Sequence, residues 1–205
     1  IPTRGAWLEF ETAASGAMYV KIDRRRKLPI TTLLKALGLT EQQIREAFKH
    51  VDTGTNSLID ATFDKDAARG ANEALIEVYR RLRPGDLATV DNARSLIENM
   101  FFNYKRFDFS RVGRYKLNKR LDLDVPNTAE NRIMRIEDLT AVISEIIRLT
   151  NTQEPGDDID SLDSRRVKLV GELVRNQFRI GLLRMERNAK DRMSMCEIET
   201  VTPAQ

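Results

Sequence analysis

The chain has 205 residues, of which 34 are Lys or Arg and 31 are Asp or Glu, so its formal net charge is only +3. With 41% hydrophobic and 32% charged residues, it can build a sizeable core beneath a charged surface, which excludes a disordered protein and predicts a soluble globular chain of one or two domains. No run approaches the roughly 18 uncharged apolar residues of a membrane helix, and a single cysteine, Cys196, with a single histidine, His50, is too few for a disulfide or a Cys/His zinc site.

The chain starts without an initiator Met or a signal peptide, so we expect it to be an excised piece of a longer protein, and its single cysteine agrees with a reducing cytosol. Catalysis of the Ser-His-Asp or Cys-His type would rest on His50 alone. This residue lies at a polar helix end beside Lys49. A surface histidine is therefore the favoured interpretation, and a hydrolase centred on His50 is a minor alternative.

The N-terminal residues predict a β-hairpin. Apolar residues alternate in AWLEFE, with Leu8 and Phe10 on one face, and again in MYVKID, with Met18, Val20 and Ile22 on one face, and a Gly/Ser/Ala loop separates the two runs. The basic block 24–27 ends the second strand. Pro29 then opens a short helix that Gly38 can cap, and Thr40 with Gln43 forms a capping box for the next helix.

The middle of the chain alternates between helical and irregular patterns. Residues 51–70 lack periodicity, so we expect a polar excursion that tolerates insertions, and a helix follows over 71–82. The sequence Arg83-Pro84-Gly85-Asp86 predicts a tight turn, after which Thr89 can cap another helix. Residues 101–120 interleave aromatic and basic side chains, and we expect the aromatic residues to pack and the cations to face solvent.

The C-terminal part is predicted to be helical on both sides of an acidic loop. Ile136, Leu139, Ile143 and Ile146 lie at helical spacing, whereas the loop up to Asp163 is acidic and broken by Pro-Gly. Residues 165–192 contain nine basic and three acidic residues with an apolar stripe. The fold class predicted is therefore α+β, mainly helical, with an N-terminal antiparallel β-hairpin and a long basic C-terminal helix.

Three basic clusters, 24–27, 105–120 and 165–192, are the main candidates for a binding function, because clustered Lys and Arg neutralise phosphates. Each cluster taken alone is more typical of a solvated face, and the small net charge is unlike that of a free-standing DNA-binding domain. In so small a body we expect them to lie close together. The acidic run at 157–160 fails the EF-hand spacing, and the first interpretation is a solvated loop. The alternative is that a carboxylate just before Arg165 reads a base edge. Phosphate-binding glycine motifs are absent. The residues by themselves predict a helical interaction module with cationic faces and no independent chemistry.

Six long motifs follow one another over nearly the whole chain: RGAWLEFET, YVKIDRRRKLPITTLLKALGLT, EVYRRLRPGD, TVDNARSLIENMFFN, FDFSRVGRYKLNKRL and DDIDSLDSRRVKLVGELVRNQFRIGLLRMERNAKDRM. In these motifs the sequence resembles the beta subunit of bacterial DNA-directed RNA polymerase. It implies a lobe domain over 1–164, with the excursion 51–70 in its short, insert-free form. It also implies that 165–205 begins the returning protrusion segment, with apolar surface along 165–190 left exposed.

For the site, the resemblance implies one jaw of the DNA cleft, touching downstream DNA and the non-template strand. Asp160 falls on an aspartate that hydrogen-bonds a non-template guanine and Arg165 on the arginine lining that pocket, although SLDS here replaces the commoner HLGN. The other residues implied to contact DNA are Arg114, Arg184 and Arg187. The turn Arg83, Pro84, Gly85 and Asp86 matches the loop that closes the cleft opposite the clamp.

The resemblance further implies a subunit of a nucleotidyltransferase whose catalytic magnesium is held by the largest subunit, so this chain alone would hold no cofactor and be inactive. The implied partners are the largest subunit, alpha, omega, sigma, DNA and transcription factors, in the cytoplasm at the nucleoid and away from membranes. The alternative from another class is a free-standing helical docking platform for transcription factors, whose basic faces bind acidic proteins.

Overall fold

A computed structural model describes residues 2–54, 57–158, 161–162, 165 and 167–195. The chain divides into two compact units, Ile1–Pro155 and Gly156–Gln205. Among the described residues, no helix combines the length and apolar character needed to cross a bilayer.

The first unit opens with a small antiparallel sheet. Strand β1 (Leu8–Thr12) pairs with β2 (Met18–Ile22), with Phe10 opposite Val20, which confirms the predicted hairpin. A third strand, β3 (Leu28–Pro29), pairs with β2 and was not predicted, because two residues carry no alternation. One face of β2 is fully buried, so the hairpin is anchored to the core.

Helices α1 (Ile30–Ala36) and α2 (Glu41–Phe48) confirm the predicted helix boundaries. Gly38 has φ of +99°, its N–H donates to the carbonyl of Lys35 (3.0 Å), and the next N–H donates to the carbonyl of Leu34 (3.1 Å), which is a Schellman ending. In the capping box, the N–H of Gln43 donates to Oγ1 of Thr40 (3.3 Å) and the N–H of Thr40 donates to Oε1 of Gln43 (2.9 Å).

The prediction of a purely polar excursion over 51–70 is wrong in part. The segment contains α3 (Leu58–Phe63), capped by the Ser57 side chain, and α3 buries Leu58, Ile59 and Thr62. The Thr62 hydroxyl accepts a hydrogen bond from the N–H of Met18 (2.9 Å) and so ties α3 to β2. Six residues are too few for a helical period to show in the sequence.

Helix α4 (Ala71–Leu82) packs on α1 as its apolar face predicts. Helix α5 (Val90–Ile97) is capped by Thr89, whose hydroxyl accepts from the N–H of Asn92 (3.3 Å), and continues into a π-helical turn (Glu98–Phe102). The predicted start at Thr89 is confirmed, whereas the widened turn was not predicted because it has no sequence pattern of its own.

The first unit ends with α6 (Ser110–Leu121), a 3₁₀ turn (Glu130–Arg132) and α7 (Ile136–Thr152). The aromatic prediction holds for phenylalanine: Phe107 lies edge-on to Phe101 and Phe109, at centroid distances of 6.3 and 4.9 Å. It is wrong for Tyr104 and Tyr115, which are 53% and 58% exposed. The tyrosines can remain at the surface because their hydroxyl groups are hydrated there.

The second unit contains α8 (Val170–Met195), the long basic helix that the sequence predicts. None of the described α8 side chains is buried. Its apolar stripe, which includes Val174, Phe178 and Met185, is exposed to solvent. This agrees with the expectation of exposed apolar surface along 165–190.

A surface ion network joins α6 to α7 and predicts an acid-sensitive contribution to stability. Glu145 accepts hydrogen bonds from Nε of Arg148 (2.9 Å) and Nη1 of Arg120 (2.8 Å), which lower the pKa of Glu145 to about 2. Because the folded-state pKa is below the unfolded one, this stabilisation is present above about pH 5 and is lost as the pH falls towards 2. We expect Glu145→Gln to lower the free energy of unfolding by about 1 kcal/mol at pH 7 and by much less at pH 3.

Thermal unfolding of both proteins between pH 7 and pH 2.5 measures this difference. Glu137→Gln removes an exposed carboxylate from the same helix and is the matched control. A gap between wild type and Glu145→Gln that stays constant with pH would contradict the assignment.

Candidate nucleic-acid interface

Arginines from three separate segments of the first unit converge on one groove of about 520 Å³, which we call the arginine groove. Leu82, Leu96 and Met100 form the apolar part of its lining. The polar and charged residues that line it are Asp23, Arg24, Arg25, Arg83 and Arg106. A lining of arginines and apolar side chains suits a ligand that has both anionic and apolar groups.

A tight turn at the end of β2 presents the first two arginines. Asp23 and Arg24 have φ of 47° and 60°, and the N–H of Arg25 donates to the carbonyl of Ile22 (2.9 Å), which is the geometry of a type I′ turn. Trp7 holds this turn in place, because its backbone carbonyl accepts from the N–H of Asp23 (3.1 Å) and its N–H donates to Oδ1 of Asp23 (2.9 Å). The guanidinium of Arg24 lies 4.9 Å from the centre of the Trp7 ring.

Backbone pairing across more than a hundred residues places Arg106 beside this turn. The N–H of Asp108 donates to the carbonyl of Arg4 (2.8 Å), and the N–H of Arg4 donates to the carbonyl of Asp108 (3.2 Å). The close approach requires glycine at position 5, where φ is +114° and an added Cβ would lie 2.7 Å from Cδ2 of Phe107. The segment carrying Arg106 is thereby fixed to the base of the hairpin.

The Pro-Gly turn after α4 supplies Arg83. Gly85 has φ of +97° and the N–H of Asp86 donates weakly to the carbonyl of Arg83 (3.4 Å), which confirms the predicted turn. The side chains of Arg83 and Asp86 lie 3.8 Å apart and both are more than half exposed, so this ion pair leaves most of the charge of Arg83 available.

The charge of the arginine groove is poorly compensated. Among the described residues, the side chains of Arg25 and Arg106 make no hydrogen bond or ion pair, and Arg24 contacts only the ring of Trp7. The carboxylate of Asp23, which accepts from the backbone N–H of Trp7, is the one acidic group among the described residues that line the groove. Four arginines and one aspartate therefore line the groove, an excess of positive charge suited to phosphate groups.

Arg114, predicted to face DNA, is placed elsewhere, and that prediction is corrected. Its side chain is 0% exposed, with Nη1 and Nη2 each 2.7 Å from an oxygen of Asp138, and Nη2 also donates to the carbonyl of Ile133 (3.2 Å). The guanidinium also lies 5.2 Å from the centre of the Phe109 ring. A guanidinium with this ion pair inside the protein orients α6 against α7 and cannot reach a phosphate outside it.

The remaining residues predicted to contact DNA all fall in the range of the second unit. Arg165, Arg184 and Arg187 belong to the second unit and are exposed, with Arg187 4.0 Å from Asp191. Asp160 lies outside the described residues. The contacts of these residues with DNA stay predictions.

Of the three basic clusters, two contribute to the arginine groove: Arg24 and Arg25 come from 24–27 and Arg106 from 105–120. Arg25 and Arg106 were not singled out from the sequence individually. Their membership of a basic cluster was the sequence signal that pointed to them, whereas nothing in the sequence indicated that Leu96 and Met100 line a surface groove.

His50 is exposed, as predicted. Within the described ranges, no group of three or more His, Cys, Asp or Glu side chains is arranged to hold a metal ion.

Comparison with known proteins gives a consistent result. The family described as RNA polymerase Rpb2, domain 2, matches residues 1–168. The chain is 48% identical over 207 residues to the DNA-directed RNA polymerase subunit beta of Dehalococcoides mccartyi strain CBDB1, covering 100% of this chain and 16% of that protein. It is also 47% identical to the subunit of Syntrophomonas wolfei over 204 residues and 48% identical to that of Gloeobacter violaceus over 204 residues, covering 99% and 100% of this chain and 18% of each relative.

The chain thus spans less than a fifth of the length of these curated relatives. The match nevertheless covers the hairpin, the Pro-Gly turn and the segment before α6, so it includes every element that lines the arginine groove. The chain therefore belongs to the beta-subunit family of DNA-directed RNA polymerase, and its residues 1–168 correspond to the domain that the family describes as Rpb2 domain 2.

Proposed function

We propose that this chain acts within RNA polymerase as the lobe that forms one jaw of the DNA cleft, and that the arginine groove holds the sugar–phosphate backbone of a DNA strand. The single observation that carries the proposal is the convergence of Arg24, Arg25, Arg83 and Arg106 from three separate segments on one groove. Positive charges that lie close together repel one another, and a bound polyanion reduces this repulsion. Release of the counterions condensed on DNA then supplies affinity without reading sequence.

The apolar part of the lining favours an unpaired strand over a duplex. In a duplex the bases are stacked inside and only phosphates and groove edges reach a protein. In a separated strand the base faces are exposed and can lie against apolar side chains such as Leu96 and Met100 while the arginines hold phosphates. This agrees with the non-template strand as the ligand, as the resemblance implies.

The second unit contributes the further contacts of the proposal. Arg165, Arg184 and Arg187 are assigned to the single strand, and Asp160 to the edge of an unpaired guanine, since a carboxylate accepts from guanine N1–H and N2–H₂. The loop 83–86 is assigned to the closing edge of the cleft. Polymerisation itself is assigned to the assembled enzyme with the largest subunit, alpha, omega and sigma, whose largest subunit would hold the magnesium.

The proposal predicts a salt-dependent loss of DNA affinity when the arginine groove is neutralised. In intact polymerase carrying this subunit, the triple change Arg25→Ala, Arg83→Ala and Arg106→Ala removes up to three phosphate contacts. We expect affinity for forked DNA to fall about 10- to 100-fold at 0.1 M salt, and the slope of log K against log salt to decrease by about 2. A fluorescence titration over a range of salt concentrations measures both quantities.

The matched control is the triple change Arg69→Ala, Arg80→Ala and Arg94→Ala, which removes the same charge from exposed positions outside the arginine groove. An equal effect of both triple variants would show that only net charge matters. An unchanged slope in the groove variant would remove the proposal and favour the docking platform that binds acidic proteins.

A further inference from the structure

A second groove adjoins the arginine groove and shares Arg83, Leu96 and Arg106 with it. Its volume is about 340 Å³, and Tyr79, Asn92, Ser95 and Asn99 complete its lining. We call it the amide groove. Since Arg83 and Arg106 line both grooves, a single phosphate bound to these two arginines would lie beside both grooves.

Tyr79 is the first indication that the amide groove is built for a ligand. The side chain belongs to the core face of α4 and only 5% of the residue is exposed, yet it lines the groove. Its hydroxyl makes no hydrogen bond to any described residue, and it is not among the side-chain atoms sealed from solvent. Buried tyrosines usually pair their hydroxyl, so this donor and acceptor is available to a group that enters the groove.

The amide face of α5 is the second indication. Asn92, Ser95 and Asn99 lie three and four residues apart, so they share one helical face that continues into the π-helical turn. Nδ2 of Asn99 donates to the carbonyl of Ser95 (2.8 Å), and Oδ1 of Asn99 accepts from Nδ2 of Asn103 (3.0 Å). These bonds fix the orientation of Asn99 and use its hydrogen-bonding capacity.

Asn92 differs from Asn99 in this respect. Its backbone N–H is held by the Thr89 cap, but its carboxamide makes no hydrogen bond to the part of the chain that the structure describes. A carboxamide offers one donor beside one acceptor. The Watson–Crick edge of every base presents the complementary pair, and that edge is accessible only when the strands are separated.

We propose that the amide groove binds one unpaired nucleotide of the strand that runs through the arginine groove. Its phosphate lies on Arg83 and Arg106, its base contacts Leu96, and its Watson–Crick edge is met by Asn92 and the hydroxyl of Tyr79. Because an amide pairs with any of the four bases, the groove recognises that the strand is unpaired and not its sequence. This inference rests on the proposed function and adds to it a subsite for the base.

The test uses intact polymerase carrying this subunit and a series of forked DNAs in which a single abasic residue is moved along the non-template strand. Wild type is expected to show a position, distinct from the one that responds to Asp160→Ala, at which loss of the base weakens binding about 5- to 10-fold. In the variant Tyr79→Phe with Asn92→Ala this position should lose its sensitivity while the salt slope stays unchanged. Tyr115→Phe, at an exposed tyrosine outside the amide groove, is the control and should retain the wild-type profile.

An abasic profile that is identical in wild type and the Tyr79/Asn92 variant would overturn the inference. If the arginine triple variant has lost affinity in that case, the proposed function stands and only the base subsite is removed. If the arginine variant also binds like wild type, both proposals fail. Tyr79→Phe keeps the buried ring, so a folding defect cannot imitate the expected result.

Discussion

Replacing Asp66 with alanine is expected to lower the free energy of unfolding by about 3–5 kcal/mol, because it leaves the Lys35 ammonium buried without its counter-ion. The two side chains are 1% and 7% exposed and their charged atoms lie 3.0 Å apart. The carboxylate of Asp66 also accepts from the hydroxyls of Thr31 and Thr32, each at 2.7 Å, and from the N–H of Ala68 (3.0 Å).

The state of this carboxyl group follows from two opposing effects. Burial by itself would raise the pKa of Asp66, but the hydrogen bonds from Thr31, Thr32 and Lys35 outweigh it and hold the pKa below its ordinary value. The group is therefore ionised at neutral pH and links α1 to the segment after α3. Alanine would remove all of these contacts together.

Urea unfolding followed by circular dichroism measures the loss. Asp60→Ala removes an exposed carboxylate that pairs with Arg45 on the surface, and should cost under about 1 kcal/mol. The double variant Asp66→Leu with Lys35→Met should recover part of the loss, since no buried charge remains unpaired. A single variant as stable as wild type would show that the network contributes nothing to the fold.

The second large effect is expected at Arg114. Arg114→Met leaves Asp138 buried without a cation, and we expect a loss of about 3–5 kcal/mol in the free energy of unfolding. Asp138 lies in the first turn of α7, where the helix dipole favours its negative charge only modestly. The paired oxygens and guanidinium nitrogens are 2.7 Å apart and shielded from water, so the variant cannot replace the lost contact by hydration.

Arg120→Met, which breaks the solvent-exposed contact of Arg120 with Glu145, is the control and should cost under about 1 kcal/mol. Two measurements on Arg114→Met, the free energy of unfolding and the salt slope of DNA binding, distinguish a structural role of Arg114 from a DNA-binding role. A residue that positions α6 changes stability and leaves the salt slope of DNA binding as it was. Loss of a phosphate contact would instead change the salt slope and leave stability as it was. That outcome would restore the expectation drawn from the resemblance.

Local signals in the sequence were sufficient to predict most of the helices, strands and turns. The hairpin, the Schellman ending at Gly38, the capping box at Thr40 and the turn at Gly85 each depend on residues within a few positions of one another. Such interactions form with little loss of chain entropy, so their patterns survive tertiary folding. Helix α3 was missed because it is short and is stabilised by its packing against β2 and α1.

The exposed residues of the candidate site, in contrast, could not be predicted from local signals. The basic clusters were visible as composition, but a cluster does not reveal which of its side chains face solvent. Arg106 and Arg114 lie eight residues apart in one cluster, yet Arg106 is exposed in a groove and Arg114 is the largest fully buried side chain among the described residues. The difference depends on Asp138, which is 24 residues further along the chain.

The sequence by itself therefore determined the fold class, the helix ends, the turns and the family, because these depend on local hydrogen bonding, periodicity and long matching motifs. Only the tertiary structure decided which arginines share a surface. That choice depends on the pairing of Arg4 with Asp108, on the turn that Trp7 holds, and on the Asp138 carboxylate that draws Arg114 inside. These contacts join residues distant in sequence, and no local pattern specifies which cation will have a buried partner and which will remain exposed.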